Sequence, residues 1–537
     1  MKFVSMGVVK NKKREELPRD VDALIALLEE RDERIAALEH NLAVYARMLF
    51  SSSSEKRRLT GLAAGHPHQL ALFMADLVAD AERIAEATGA TGRVEVEPPP
   101  PVRRTGKGSR KAKSFPDHLP VVETLFELPA DQLLCMCGGE LKLIGYEVRN
   151  ELERIEITIT HRTKQGKYVC RCCGEGVVTA TAPGRVIDKG RLGPGFLAHV
   201  IGERFQFHMP YHRLEKKYAG EGLALSRSVL ERSVARCAEL LEPLYLELGK
   251  QVIAEPVIFT DDTTVTLARL AEREGSRTAR IWVYLDKLGR HFYDFTDSRS
   301  RAGPELILKN FSGFMHADAL GNYDIFYQSG LVTEVACWAH ARRKFKDAVS
   351  SDPELAEEAL ELIGELYRVE KAAKSQGLDA EGLRALRQRY SVPQLEKIHA
   401  WLGVTEARVL PKSPMAKAVR YALNQWDALK VYTTDGRLEI DNNAAERALR
   451  PIAVGRKNWL FFQSQGGGKT AAIMMSLIQT AAAAGVNVKL YLRDVLQRIS
   501  TENDVTKLLP HGWKQHFESE VEGRRNEIIE LLVKSRG

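Results

Sequence analysis

Val21, Leu24, Leu28, Arg31, Ile35, Leu38, Leu42, Tyr45 and Leu49 follow alternating steps of three and four residues, broken only by the polar Arg31. That spacing predicts a heptad seam of about four heptads with Glu and Arg on its flanks, a coiled coil that pairs copies of the chain. A helix packed on its own protein would show the same pattern. The seam stops at Ser51–Ser54, and from Gly89 to Ser114 apolar periodicity is lost. Pro98 to Pro101 make a stiff run, followed by Arg103, Arg104, Lys107, Arg110, Lys111 and Lys113 without an acid among them. The pattern predicts an extended linker and then a basic arm, suited to lying along phosphates or simply to being solvated.

Pro210 to Glu239 predicts two helices joined by Ala219-Gly220-Glu221-Gly222, the second short, capped by Ser226 and carrying Arg227, Arg232 and Arg236. A basic helix after a glycine turn has the form of a helix-turn-helix DNA reader, as does any helical hairpin. Beyond Gln251 the pattern changes to strands alternating with helices. Strands are expected at Pro256–Thr260, Arg280–Leu285, His291–Phe295, Gly313–Ala317 and Glu334–Cys337, with a basic helix at Ala339–Phe345. Asp261 and Asp318 each fall at an expected strand end, which is the arrangement of an RNase H-like mixed sheet. Glu354–Ala373 and Leu378–Arg389 read as helices, and a further helix is expected to open at Asp441 or Asn442, with Glu446 one turn in. Arg447 and Arg450 lie on it, with Arg456 and Lys457 expected to follow its end.

Composition narrows this picture. The chain has 537 residues, 44% hydrophobic and 28% charged, enough for several soluble units. Its 78 Lys and Arg against 71 Asp and Glu give +7, compatible with nucleic acid. No secretory signal is expected, and the apolar stretch Ala471–Ala484 is too short and too interrupted to cross a bilayer, so a cytoplasmic protein without membrane partners is expected. Of seven cysteines, five lie between Cys135 and Cys173. Cys135-x-Cys137 and Cys170-x-x-Cys173, separated by strand-like sequence, suit a closed structural zinc site, with Cys172 a substitute ligand and small buried thiols the bland alternative. Gly466-Gly-Gly-Lys-Thr470 looks like a phosphate-binding loop, but Gln463 stands where that motif needs glycine, so ATP is not expected.

Carboxylates on adjacent strands suit Mg2+ or Mn2+, which prefer oxygen ligands. Two such ions roughly 3.5–4 Å apart serve in-line displacement at phosphorus. Asp262 and Asp441 are the rival acids. Asp262 is expected on the opposite sheet face from Asp261, and Asp441 as a helix cap.

The chain resembles the insertion-sequence-66 transposases of the DDE class. The resemblance rests on Asp261-Asp-Thr263, His316-Ala-Asp-Ala-Leu-Gly-Asn-Tyr323, Cys337-Trp-Ala-His-Ala-Arg-Arg-Lys-Phe345, Asp441-Asn-Asn-Ala-Ala-Glu-Arg447, Gly455-Arg-Lys-Asn-Trp-Leu-Phe461 and Leu508-Leu-Pro-His-Gly-Trp513. Thr264 replaces a frequent proline, and the first cysteine pair is one residue tighter than the family's usual spacing. The resemblance implies Asp261, Asp318 and Glu446 as a metal-binding catalytic triad, with a helical insertion between the last two. It implies two Mg2+ or Mn2+ per active site, a structural zinc on Cys135, Cys137, Cys170 and Cys173, and element ends and target DNA as partners. DNA contacts are expected from Arg103, Arg104, Lys111, Arg227, Arg232, Arg447, Arg450, Arg456 and Lys457. Helper proteins stay open as further partners.

The expected architecture is α/β and multi-domain. A coiled-coil helix occupies residues 1–50, a helical segment and basic linker 51–115, a zinc-knuckle domain 116–185 and a helical DNA-binding domain 186–250. The catalytic core spans 251–348 and 431–500 around a helical insertion at 349–430, and 501–537 form a tail. Two other functions remain open on the sequence: an inactive DNA-binding regulator that kept the fold, and a structure-selective nuclease.

Overall fold

The sheet is laid down by strands whose apolar runs were legible in sequence. In the computed structural model, which describes residues 77–84, 158–168, 178–181, 184–268, 276–318 and 323–534, five strands order as β5-β4-β3-β6-β7. They are β3 (Val257–Leu267), β4 (Arg277–Asp286), β5 (His291–Thr296), β6 (Gly313–Ala317) and β7 (Val332–Ala336). β3, β4 and β5 pair antiparallel, whereas β6 and β7 join parallel to β3. A two-residue ladder, β1 (Lys167–Tyr168) with β2 (Val178–Thr179), lies upstream. The heptad seam, Arg103, Arg104, Lys111 and Cys135, Cys137, Cys170, Cys172 and Cys173 lie outside the described residues.

β3 does not stop at Thr260. It runs on because Val265 and Leu267 continue the buried alternation past two acids, and Asp262 is matched by Arg280 on the paired strand. β6 leaves the ladder earlier, at the Phe259–His316 pair, so Asp261 sits mid-strand yet where the parallel half of the sheet opens.

The two faces are covered differently. Thr260, Tyr284 and Phe292 line up across three strands on one face. There Tyr245 stacks on Phe292 from helix α3 (Arg227–Ile253), and its hydroxyl donates to Tyr293 O at 2.8 Å. Upstream are α1 (Pro194–Ile201) and α2 (Tyr211–Gly220). α3 is not the short helix expected. It has 27 residues and passes through Pro243, carried by the buried stripe Leu241, Leu244, Leu248 and Val252. Nor does Ser226 cap it: its hydroxyl bonds Ser228, and Glu215 accepts from Arg227 N at 3.1 Å. Arg227 and Arg232 are exposed near its start, roughly 30–40 Å of helix from its junction with the sheet.

After β7 come α4 (Trp338–Ala348), then the insertion helices α5 (Pro353–Ser375), α6 (Val392–Arg408) and α7 (Pro414–Asn424), with Asp352 and Ser413 as true side-chain caps. α8 (Asn443–Trp459) and α9 (Gln465–Ala483) cover the second face. There Tyr293 donates from its hydroxyl to Ala448 O at 2.6 Å and from its amide to Ser476 Oγ at 2.8 Å. α8 opens at Asn443, one or two residues later than expected, and contains Arg456 and Lys457 rather than ending before them, since Pro451 is absorbed in the helix.

The glycines of Gly466–Gly468 form the first turn of α9, capped by Ser464, and not a loop. A Cβ at Gly468 would stand 2.5 Å from the Phe295 ring. Gly468→Ala should therefore lower stability by about 1–3 kcal/mol, seen as a lower thermal midpoint. Gly466→Ala, with only Ser464 Oγ at 3.7 Å, should change little.

α10 (Val488–Arg498) packs on α1, and the stretch expected as a tail holds Trp513, fully buried with Nε1 donating to Asp494 at 2.8 Å, before α11 (Glu518–Lys534). The apolar stretch Ala471–Ala484 is largely the buried α9. No helix among the described residues is long and apolar enough to cross a membrane.

Candidate active site

Asp261, Asp318 and Glu446 come together on the face that α8 covers. Phe259 pairs with His316, and the two rings stack at 4.3 Å. Two residues beyond this last pair lie Asp261, still on β3, and Asp318, just past the end of β6, near enough for its charge to act on Asp261. Glu446 reaches it from the first turn of α8, which Tyr293 ties to the sheet through Ala448.

The connection into α8 is pinned to the strand that bears Asp261. Asn442, fully buried, donates from Nδ2 to Thr260 O at 2.9 Å, and its amide donates to Cys337 Sγ at 3.1 Å. On the reverse face the Thr260 and Tyr323 hydroxyls share a hydrogen bond at 3.1 Å.

Crowding of like charge shows in the acids themselves. Burial, with a further push from Asp318, Asp262 and Glu446, drives the Asp261 carboxyl up to about 7, against a hydrogen bond from Asp262 N that favours the ionised form. Burial likewise raises Asp318; His340 and Arg299 oppose this, while Asp262 and Glu446 add to it. Glu446 Oε1 is sealed from solvent without a hydrogen-bond partner. His340 Nε2 stands 3.5 Å from it, and an Arg343 guanidinium nitrogen 3.5 Å from Oε2.

The rival acids are otherwise engaged. Asp262, on the opposite face, is bonded by Arg280 and has Arg299 at 3.6 Å. Asp441 accepts from Asn443 N at 3.1 Å, Asn443 Nδ2 at 2.7 Å and the Tyr367 hydroxyl at 3.2 Å, so it braces the helix entry without being its N-cap, which is Asn442.

An all-oxygen, mutually repelling donor set with an orphaned buried oxygen suits a hard divalent cation. Among the described residues no three such side chains stand at metal-holding spacing, and Glu446 has His340 and Arg343 as its cationic neighbours.

Of the expected DNA contacts, Arg447, Arg450 and Lys457 are exposed on α8. Arg456 instead turns back onto β3, donating to Thr264 O at 2.8 Å and to both threonine hydroxyls of Thr263 and Thr264 at 3.2 Å. His340 and Arg343 had no expected role. Their signal was the basic helix itself, which follows β7 directly and so must start at the same sheet end as the acids.

Comparison with known sequences decides the family. The profile described as "Transposase IS66 family" matches residues 189–470, "Transposase C of IS166 homeodomain" matches 37–124, and "IS66 C-terminal element" matches 476–511. The chain belongs to the IS66 transposase family. Relatives in Sinorhizobium fredii (strain NBRC 101917 / NGR234) include uncharacterized protein y4jD, 30% identical over 93% of this chain and 98% of that protein. Uncharacterized protein y4qI is also 30% identical, over 92% of both chains. Membership in a transposase family implies binding to DNA, and the IS66 profile spans all three acids.

Proposed function

We propose that the protein cuts phosphodiesters at the ends of a mobile DNA element and joins the freed 3′-hydroxyl to target DNA, with Asp261, Asp318 and Glu446 as the catalytic carboxylates. The observation that carries this reading is the approach of three acids from separate segments, in which the charges of Asp318 and Glu446 raise Asp261 and that of Glu446 raises Asp318. Strand order β5-β4-β3-β6-β7, antiparallel then parallel, supports an RNase H-like core.

Asp261, Asp318 and Glu446 would hold the ions, with Asp261 the acid shared. Two Mg2+ or Mn2+ ions held there would supply activation of the attacking oxygen and charge stabilisation of the leaving one. The protein's own contribution is placement: Asn442 locks the Glu446 helix to β3, and exposed Arg447, Arg450 and Lys457 hold the backbone. Hydrolysis breaks the bond between phosphorus and the 3′-oxygen of the element's terminal nucleotide, leaving a 3′-hydroxyl on the element and a 5′-phosphate on the flanking DNA. That hydroxyl then attacks a target phosphodiester and expels a target 3′-oxygen.

In the same reading Cys135, Cys137, Cys170 and Cys173 hold a structural zinc, the heptads pair protomers, and residues 186–250 with the basic arm select the ends.

Supercoiled donor DNA bearing candidate terminal repeats, incubated with Mg2+ or Mn2+, tests this. Glu446→Gln should lower cleavage by on the order of 10^2–10^3-fold, as expected for loss of one ion's charge stabilisation, with binding retained. Binding without cutting by the wild type would support an inactive regulator. Cutting without joining would support a nuclease, and equal activity of the variant would remove Glu446 from the site.

A further inference from the structure

Ala339, Arg342, Arg343 and Lys346 recur at three- and four-residue steps and so form one stripe of α4. They line, with Gly364 and Tyr367, one turn apart on the insertion helix α5, and with Asn443, an open cleft of about 510 Å3. That is the scale of a small-molecule site. Its lining carries three cations and no acid.

Three features give it a direction. Arg343 reaches out of the cleft to within 3.5 Å of Glu446, so the cleft opens beside the third acid. Tyr367 and Asn443 are held in place by Asp441, which accepts from both and gives the cleft a fixed polar wall. A Cβ at Gly364 would meet nothing within 4 Å, so one wall is bare helix backbone over open space. A concave row of Arg, Arg and Lys matches the spaced negative charges of a phosphodiester chain, and the guanidinium fork suits phosphate oxygens.

We propose that this cleft seats the sugar–phosphate segment next to the scissile bond, with Arg342, Arg343 and Lys346 on its phosphates and Arg343 passing from Glu446 to the strand on binding. This rests on the transposase reading above. Arg343 is a positioning residue in this scheme: without the strand its charge is matched by Glu446, 3.5 Å away, and strand entry transfers it to a phosphate.

The test is binding of the full chain, without divalent cation, to fluorescein-labelled single-stranded oligonucleotide across a salt series. Arg342→Ala/Arg343→Ala/Lys346→Ala should bind more weakly, with the slope of log K against log salt flatter by about 2. Arg524→Ala/Arg525→Ala, on exposed positions of α11, should match wild type. Gly364→Glu should weaken binding as well, and Gly364→Ala should not, which keeps the test alive if the triple variant fails to fold. Wild-type affinity and slope in both the triple variant and Gly364→Glu would overturn the cleft while leaving the transposase reading intact. No DNA binding by the wild type would overturn both. AMP binding that oligonucleotide does not displace would mark a free-nucleotide pocket and overturn the proposal.

Discussion

Asp261→Asn should abolish metal-dependent cleavage, by on the order of 10^4-fold or more, if Asp261 is, as proposed, the residue shared by both ions. The same substitution should make the metal-free protein more stable at alkaline pH. Burial and three acidic neighbours hold the Asp261 carboxyl up at about 7, above the ordinary carboxylate value. A raised acid favours the folded state fully only below its unfolded value, and that contribution is lost as pH rises through the folded one. Wild type should therefore lose up to about 4 kcal/mol between pH 4 and pH 8 through this group, and the asparagine variant should not. Melting in chelator at both pH values reads the difference: equal midpoints at pH 4, a higher variant midpoint at pH 8. Mg2+ should then raise the wild-type midpoint alone. A variant that melts below wild type at pH 8 would mean that favourable partners, not crowding, surround the acid.

Arg387→Ala should be the most damaging single change outside the acids. Arg387 is completely buried, held by both oxygens of Glu370 at 2.7 and 2.8 Å, and donates to the carbonyls of Tyr432, Asp435 and Leu438 at 2.7, 3.1 and 2.9 Å. It is the clasp between the insertion helix α5 and the segment that delivers Glu446. Removing it strands a carboxylate and three carbonyls, at about 3–5 kcal/mol. Arg387→Lys should recover little, since a single ammonium cannot span that set of acceptors. Denaturant titration should show the loss, and cleavage should fall even at temperatures where the variant stays folded. A midpoint within error of wild type would show that the clasp is dispensable.

Much of this was legible in the sequence where one physical rule acted alone. Gly313–Ala317 appears as a strand with the expected bounds, and the helices expected at Glu354–Ala373 and Leu378–Arg389 span Pro353–Ser375 and Ala380–Leu386, whereas α6 and α7 were not foreseen. Asp261 on the opposite face from Asp262 followed from pleat alternation, and Arg280 on Asp262 fits it. What sequence reasoning missed depended on partners distant in the chain. β3 outran its apolar segment because β4 supplied Arg280 and a ladder to Leu267. α3 and α8 outran their expected ends because buried stripes outweighed the hydrogen bond that Pro243 and Pro451 each remove. His340 and Arg343 on Glu446 join residues about a hundred positions apart, and no local period announces such a meeting.

The spread of the acids along the chain also sets a clock. Asp261 and Glu446 are 185 residues apart (446 − 261), which a ribosome takes roughly 10–40 s to cross. For that interval the nascent chain holds Asp261, and for most of it Asp318, without the helix that closes the site. The sheet face that Tyr293 shares with α8 is bare until then. On the proposed function, a chain that stalls in this window exposes apolar surface but carries no cutting centre, so an unfinished copy endangers its own solubility before it can endanger a chromosome.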